Sequence, residues 1–327
     1  MEITTVAVLG GSGFVGRHVC HALAAEGFRV RVATRDRERA KEQLILLPTA
    51  EVAVVDVHEP AELAAFVRGT DAVVNLVGVL HDGRGARGFR SAHVELARKA
   101  VVACHAGGVG RLLHMSALGA ERAAPSAYLR TKGEAEAIVR ESGLAWTVFR
   151  PSVIFGRGDG FLNLFARLLR LAPVLPLACP GARFQPVFVE DVAAAFVKSL
   201  ADLGSVGKSH DLCGPRVYTL RELVEYVGVV TGRRRPIVGL GDSLSYLQAF
   251  SMELFPLRQV LGALDMLMTR DNYYSMQVDS VCACDFPFGI VPAALEAVAP
   301  SWLGNRTPRA RYQQFRAQRG SSVTSDE

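Results

Sequence analysis

No apolar stretch of the sequence runs uncharged for the roughly 20 residues that a membrane-spanning helix requires, so no transmembrane segment is expected. Cysteine is sparse: six residues in 327, scattered as Cys20, Cys104, Cys179, Cys213, Cys282 and Cys284. Only the last two are close, and the single residue between them differs from the two-residue spacing of common metal and redox motifs. Neither a disulfide framework nor a metal site is expected. Residues 1–5 lead straight into a strand-like run, without a basic start or a long apolar stretch. The expectation is therefore a cytoplasmic protein with reduced thiols. A large excess of charge of one sign is also lacking. The formal net charge is +5, concentrated where residues 306–319 carry five arginines and no acidic side chain. That tail alone does not call for nucleic acid; it reads as a solvated end or as a contact for phosphate or an anionic membrane.

Half of the residues are apolar, enough for a large buried core. Strand-length apolar runs at residues 6–9, 29–33, 51–55, 72–76, 111–115 and 146–150 alternate with helical segments at 13–25, 37–46, 61–67, 90–106 and 127–141. This alternation predicts βαβ units, hence an α/β fold with a doubly wound parallel sheet of Rossmann type. After residue 155 the regularity fades into a smaller, mostly helical region. Helices are expected at 161–171, 189–200 and 220–231, and short strands at 186–188 and 210–212; residues 244–268 form a long apolar stretch. The expected organisation is a nucleotide domain over 1–155, a C-terminal substrate or partner region over 156–304 interleaved with it, and a basic tail over 305–327.

The first strand runs into Gly10-Gly11-Ser12-Gly13-Phe14-Val15-Gly16, followed by an amphipathic helix. Three glycines at this spacing between strand and helix allow a tight turn, backbone approach to a pyrophosphate, and close helix packing. The helix N-terminus offers unpaired N–H groups to the anion. Gly10, Ser12, Gly13, Phe14, Val15 and Gly16 are thus expected around a dinucleotide. Arg17 is either a second clamp or an exposed helix residue. The second strand ends in Ala33-Thr34-Arg35, where an acidic residue would hold the ribose of NAD(H). Arg35 there suits a 2′-phosphate and favours NADP(H), while Asp36 keeps NAD(H) open should the strand end later. Asp56 and Val57 close the third strand, where a carboxylate can meet the adenine. Leu76, Val77 and Gly78 close the fourth, where small or apolar residues pass under the cofactor.

Tyr128 and Lys132, four apart, share one helix face, and Ser116 ends the fifth strand. Together they form the outline of a carbonyl-reductase acid/base site: the lysine lowers the phenol's pKa and holds the nicotinamide ribose, and the phenol exchanges a proton with a carbonyl oxygen. With these residues the sequence resembles the short-chain dehydrogenases/reductases. Met115 to Ala120, Ser126 to Glu134, Arg150 to Arg157 and Phe161 to Asn163 narrow the resemblance to the atypical branch containing the nucleotide-binding accessory subunit of respiratory complex I and its bacterial relatives. Gln185 to Val192 is similar to a segment of the extended members, of the epimerase/dehydratase kind. The resemblance covers roughly residues 5–240. It implies catalytic Ser116, Tyr128 and Lys132, with Lys132, Pro151 and Val153 also on the cofactor. The chain departs from many extended members in having His93 where an asparagine is common, and Ser116 only twelve positions before Tyr128.

The resemblance leaves two functional readings open. One is an NADP(H)-dependent oxidoreductase acting on a small apolar carbonyl or quinone-like substrate. The other is a non-catalytic accessory, assembly or redox-sensing protein of a respiratory or quinone-related complex, because the dinucleotide of the complex I subunit is generally regarded as structural. The apolar second half and the arginine tail leave room for peripheral contact with the inner face of a membrane.

Overall fold

The computed structural model describes residues 3–38, 47, 49–83, 88–254 and 268–304. After Thr5, β1 (Thr5–Leu9) is an unbroken apolar run, and Val6, Ala7, Val8 and Leu9 are all buried. A strand of this kind needs cover on both faces, which a parallel sheet with crossover helices supplies. The strands that follow it in the sheet are β2 (Arg29–Thr34), β3 (Ala50–Val54), β4 (Ala72–Asn75), β5 (Arg111–Met115) and β6 (Ala145–Pro151). Each lies within one residue, at either end, of the strand expected from the sequence.

Four short strands follow: β7 (Ile154–Phe155), β8 (Leu175–Leu177), β9 (Arg183–Phe184) and β10 (Val187–Phe188). Then β11 (Lys208–Leu212) returns to pair with β6. The main sheet has the order β11-β6-β5-β4-β1-β2-β3, and all its pairings are parallel. The strand order reverses between β1 and β4, the position at which open α/β sheets leave a crevice at the strand C-termini.

Alternate side chains of β1 feed two cores. Val6 and Val8 meet α1 (Phe14–Ala25), together with Val192 and Phe196 from a later helix. Ala7 and Leu9 face α2 (Pro60–Val67), α3 (Leu96–Gly107) and α4 (Ala127–Arg140). The later helix is α6 (Val189–Ala201); with β11 it carries the second half of the chain into the nucleotide core. A separate apolar cluster joins α5 (Phe161–Leu171) to α7 (Leu220–Val230) through Leu162, Phe165, Leu169, Leu223 and Val227. The apolar stretch at 244–268 begins on α8 (Asp242–Leu254), after which the described chain resumes near α9 (Arg270–Ser275). Beyond residue 38, the helix expected at 37–46 falls outside the described residues, as does the tail at 305–327. The helix expected at 90–106 opens instead with a π-helical turn over Arg90–Glu95. Among the described residues no helix is long and apolar enough to cross a membrane.

Candidate active site

The chain turns as soon as β1 ends. Gly10 adopts φ of +80°, a left-handed conformation that a β-carbon would strain, and its carbonyl accepts the Gly13 N–H at 3.0 Å. Gly13 is the N-cap of α1 and makes no side-chain cap bond. The N–H groups of Phe14, Val15 and Gly16 therefore have no partner within the helix. At Gly16 a β-carbon would lie 2.1 Å from the Gly10 carbonyl oxygen, so turn and helix close only over glycine. Unpaired donors at the positive end of a helix form an anion cradle, and Gly13 at its rim is exposed. The residues present thus fit a pyrophosphate. Arg17 is held elsewhere: its Nη2 donates to the Arg157 carbonyl, and its guanidinium lies 5.5 Å over the Phe14 ring.

The other strand ends gather along this edge. Leu76 and Val77 pack on Gly10, whose β-carbon would lie 3.1 Å from the Val77 nitrogen. After β2, Thr34 Oγ1 accepts from the Asp36 N–H at 3.2 Å and donates to the Asp36 carbonyl at 3.0 Å, and Arg35 between them is exposed. Asp56, after β3, accepts from the His58 N–H at 2.9 Å. Val57 and Val153 are half-buried, and Pro151 is buried at the end of β6.

Ser126 caps α4 by accepting the Leu129 N–H at 3.1 Å, a bond worth about 1 kcal/mol. Lys132 from this helix donates to the Met115 carbonyl at 3.0 Å, and a β-carbon on Gly78 would lie 3.1 Å from its Nζ. The lysine therefore bridges the ends of β4 and β5, beside Ser116. The Ser116 Oγ is buried and has no hydrogen-bond partner, a state that costs about 1–3 kcal/mol. Tyr128 packs edge-on against Phe89 at 5.9 Å and His93 at 5.6 Å. Burial pulls the Lys132 ammonium down to about 8 and pushes the Tyr128 phenol up to about 12. Here the ammonium is directed at a backbone carbonyl, and desolvation of the phenolate raises the phenol.

Three supports of this helix were not assigned from the sequence. His93, on the π-helical turn, accepts the Val79 N–H at Nε2 (3.2 Å), so its proton sits on Nδ1, which bonds Thr131 Oγ1 at 2.9 Å. Asp271 on α9 accepts from the Ala127 N–H at 2.6 Å and the Tyr128 N–H at 3.1 Å, capping the start of α4 from 143 residues beyond Tyr128. Buried Glu136 anchors the same helix to Arg150 Nε at 2.9 Å. The π-helical insertion is a local sign of a functional turn; no sequence pattern pairs Asp271 with residues so distant.

Burial, reinforced by the Lys132 charge, pulls His93 down to about 2 and His114 down to about 3. Both stay neutral in the fold, whereas the unfolded chain takes up protons near the ordinary value of 6.5. The unfolded state then binds more protons, so stability falls as pH drops below that value, by up to about 1.4 kcal/mol per pH unit for each histidine. Urea unfolding midpoints should decline from about pH 7 to about pH 5, and His93→Asn should flatten the decline. An unchanged slope in the variant would exclude His93 as a source.

Glycine turn, open helix N-terminus and switch-point crevice define a Rossmann protein built to hold a dinucleotide. A family model described as NAD(P)H-binding matches residues 10–160. The mitochondrial NADH dehydrogenase [ubiquinone] 1 alpha subcomplex subunit 9 of Arabidopsis thaliana is 36% identical over 224 residues, 67% of this chain; the match spans 56% of that relative's length. A ceramide reductase of Caulobacter vibrioides is 30% identical over 248 residues, covering 72% of this chain and 74% of the relative. The solved UDP-glucose 4-epimerase of Thermus thermophilus in complex with NAD has the same fold, with a TM-score of 0.59 and 23% identity over 72% of this chain and 86% of that one. The chain belongs to the NAD(P)H-binding atypical short-chain dehydrogenase/reductase family that includes the complex I subunit and the ceramide reductase.

Proposed function

We propose that the protein is an NADP(H)-dependent oxidoreductase acting on an apolar carbonyl or quinone-like substrate. The observation that carries this reading is the buried, unpartnered Ser116 hydroxyl beside Lys132, at the open end of β5. A substrate oxygen would supply the missing partner. The nicotinamide supplies or accepts the hydride. Tyr128, protonated at neutral pH, gives a proton to the substrate oxygen, and Ser116 orients that oxygen. With the cofactor bound, Lys132 would hold the nicotinamide ribose, with Pro151 and Val153 beside it. In the cradle, Gly10, Ser12, Gly13, Phe14, Val15 and Gly16 would hold the pyrophosphate, Asp56 and Val57 would serve the adenine side, and Leu76, Val77 and Gly78 the floor.

Arg35 supports NADP(H) over NAD(H): it stands exposed directly after β2, where a 2′-phosphate would lie. NADP(H) should bind at least about tenfold more tightly than NAD(H), a difference of about 1.4 kcal/mol. Arg35→Ala should erase the difference in calorimetry on ligand-stripped protein. Equal affinities in the wild type would assign the choice to Asp36 instead. Denaturing freshly purified protein and identifying the released nucleotide tests the cofactor directly.

A second reading is favoured by the same Lys132 contact. With its ammonium on a backbone carbonyl and the phenol packed among aromatic rings, the site also suits a protein that holds the nucleotide without turnover, as an accessory of a respiratory or quinone-related complex. The 36% identity to a complex I subunit supports that partner class. A ligand at about 100 times its dissociation constant stabilises a fold by about 2.7 kcal/mol with no chemistry at all.

A further inference from the structure

Cys282 and Cys284, close in sequence, are joined in space by a third thiol. Cys213 follows β11, Cys282 is the thiol neighbour of both Cys213 and Cys284, and the Cys284 thiol donates to the Asp211 carbonyl at 3.9 Å, which holds the segment of Cys284 against the end of β11. Gln185 clamps the two chain segments together: its Nε2 donates to the Gly214 carbonyl at 2.7 Å, its Oε1 accepts the Cys282 N–H at 3.0 Å, and its own carbonyl accepts the Gly214 N–H at 3.2 Å. The three sulfurs step outward from the core, with Cys213 buried, Cys282 half-buried and Cys284 exposed. Among the described residues no group of His, Cys, Asp or Glu is arranged to hold a metal ion.

We propose that Cys213 and Cys282 are a reversible redox pair, closed to a disulfide by a hydroperoxide. The Cys282 thiolate attacks the peroxide; the S–O bond forms as the O–O bond breaks, and the departing hydroxide takes up the proton that Cys282 released and leaves as water. The Cys213 sulfur then attacks the sulfenic sulfur. The S–S bond forms as the S–O bond breaks, and the hydroxyl leaves as water with the Cys213 proton. Two thiols thus give up two electrons, and one hydrogen peroxide becomes two waters.

Burial and the neighbouring Cys282 push the Cys213 thiol up, and burial and the same neighbour push Cys284 up to about 12. Both therefore stay protonated at neutral pH, and the half-buried Cys282 is more open to a peroxide than the buried Cys213. Cys284 is a poor partner for Cys282, because one intervening residue closes a short ring that departs from relaxed disulfide geometry. Cys213, on a separate segment clamped by Gln185, has no such constraint.

The bond would fasten the segment around Cys282 to the end of β11. Ser280, on that segment, accepts from Ser152 Oγ at 2.7 Å, and Ser152 directly follows Pro151. Oxidation would thus fix one wall beside the cofactor loop, independently of whether the site turns over.

The test is peptide mapping of the full chain under non-reducing conditions after titration with hydrogen peroxide. The expected result is a Cys213–Cys282 cross-linked peptide, loss of two of the six thiols, and reversal by dithiothreitol. Cys284→Ser should retain the cross-link. Cys213→Ser should lose it and leave Cys282 as a sulfenic acid trapped by dimedone. A Cys282–Cys284 or intermolecular disulfide, thiol loss spread over Cys20 and Cys104, or no loss at stoichiometric peroxide would overturn the proposal.

Discussion

Gly13→Val should fold and fail to retain nucleotide, whereas Gly16→Ala should fail to fold around the turn at all. A β-carbon at Gly13 meets only the Gly10 carbonyl oxygen, at 3.2 Å, and otherwise points into the open cradle. The branched side chain would occupy the space the pyrophosphate needs and leave the protein's own packing nearly intact. At Gly16 the same carbon would stand 2.1 Å from Gly10 oxygen and 2.6 Å from Gly11 Cα, contacts that require α1 to leave β1. That displacement would open the apolar contacts of Val15, Val19 and Leu23, a loss on the scale of large core substitutions, about 2–5 kcal/mol. Circular dichroism melts together with the nucleotide released on denaturation separate the two variants. A folded Gly13→Val protein that keeps its nucleotide through gel filtration would falsify the placement of the site.

The second large effect concerns turnover. Tyr128→Phe preserves the ring that packs on Phe89 and His93 and removes the hydroxyl, and with it the phenolic proton. Nucleotide affinity should be unchanged, while NADPH oxidation with soluble quinones or apolar ketones should fall on the order of 10²–10⁴-fold, the usual contribution of a general acid. Lys132→Met should lose turnover and some affinity as well, because in the proposed site the ammonium holds the ribose. A wild-type rate that survives in Tyr128→Phe would remove this tyrosine from the chemistry. No oxidation by the wild type across such a panel, with nucleotide firmly bound, would favour the accessory reading.

The parallel sheet was legible because β1 and β4 are short apolar runs and helix-length amphipathic segments such as α1 and α3 separate the strands. The glycine turn was legible because its function imposes residue identity on neighbouring positions. What escaped was long-range. Asp271 caps α4 across a separation of 144 residues from Ala127, and Cys213 meets Cys282 only because β11 returns to the edge of the sheet. Neither pairing leaves a local pattern. The Tyr128–Lys132 spacing pointed to a helix face, yet it could not convey how deeply the phenol is buried, because Phe89 and His93, which pack on it, arrive from a different segment.

The cap supplied by Asp271 also sets an order on the birth of the site. Residues 5–77, which hold the phosphate turn and its floor, emerge from synthesis well before residue 271, so the cradle can assemble on an unfinished chain. The helix bearing Tyr128 lacks two of its N-terminal hydrogen-bond acceptors until α9 has been made and has docked. Closing so long a loop delays the contact, since its entropic cost precedes its reward. A nascent or C-terminally clipped chain would thus be able to form the phosphate turn before the start of the helix bearing Tyr128 is fully capped.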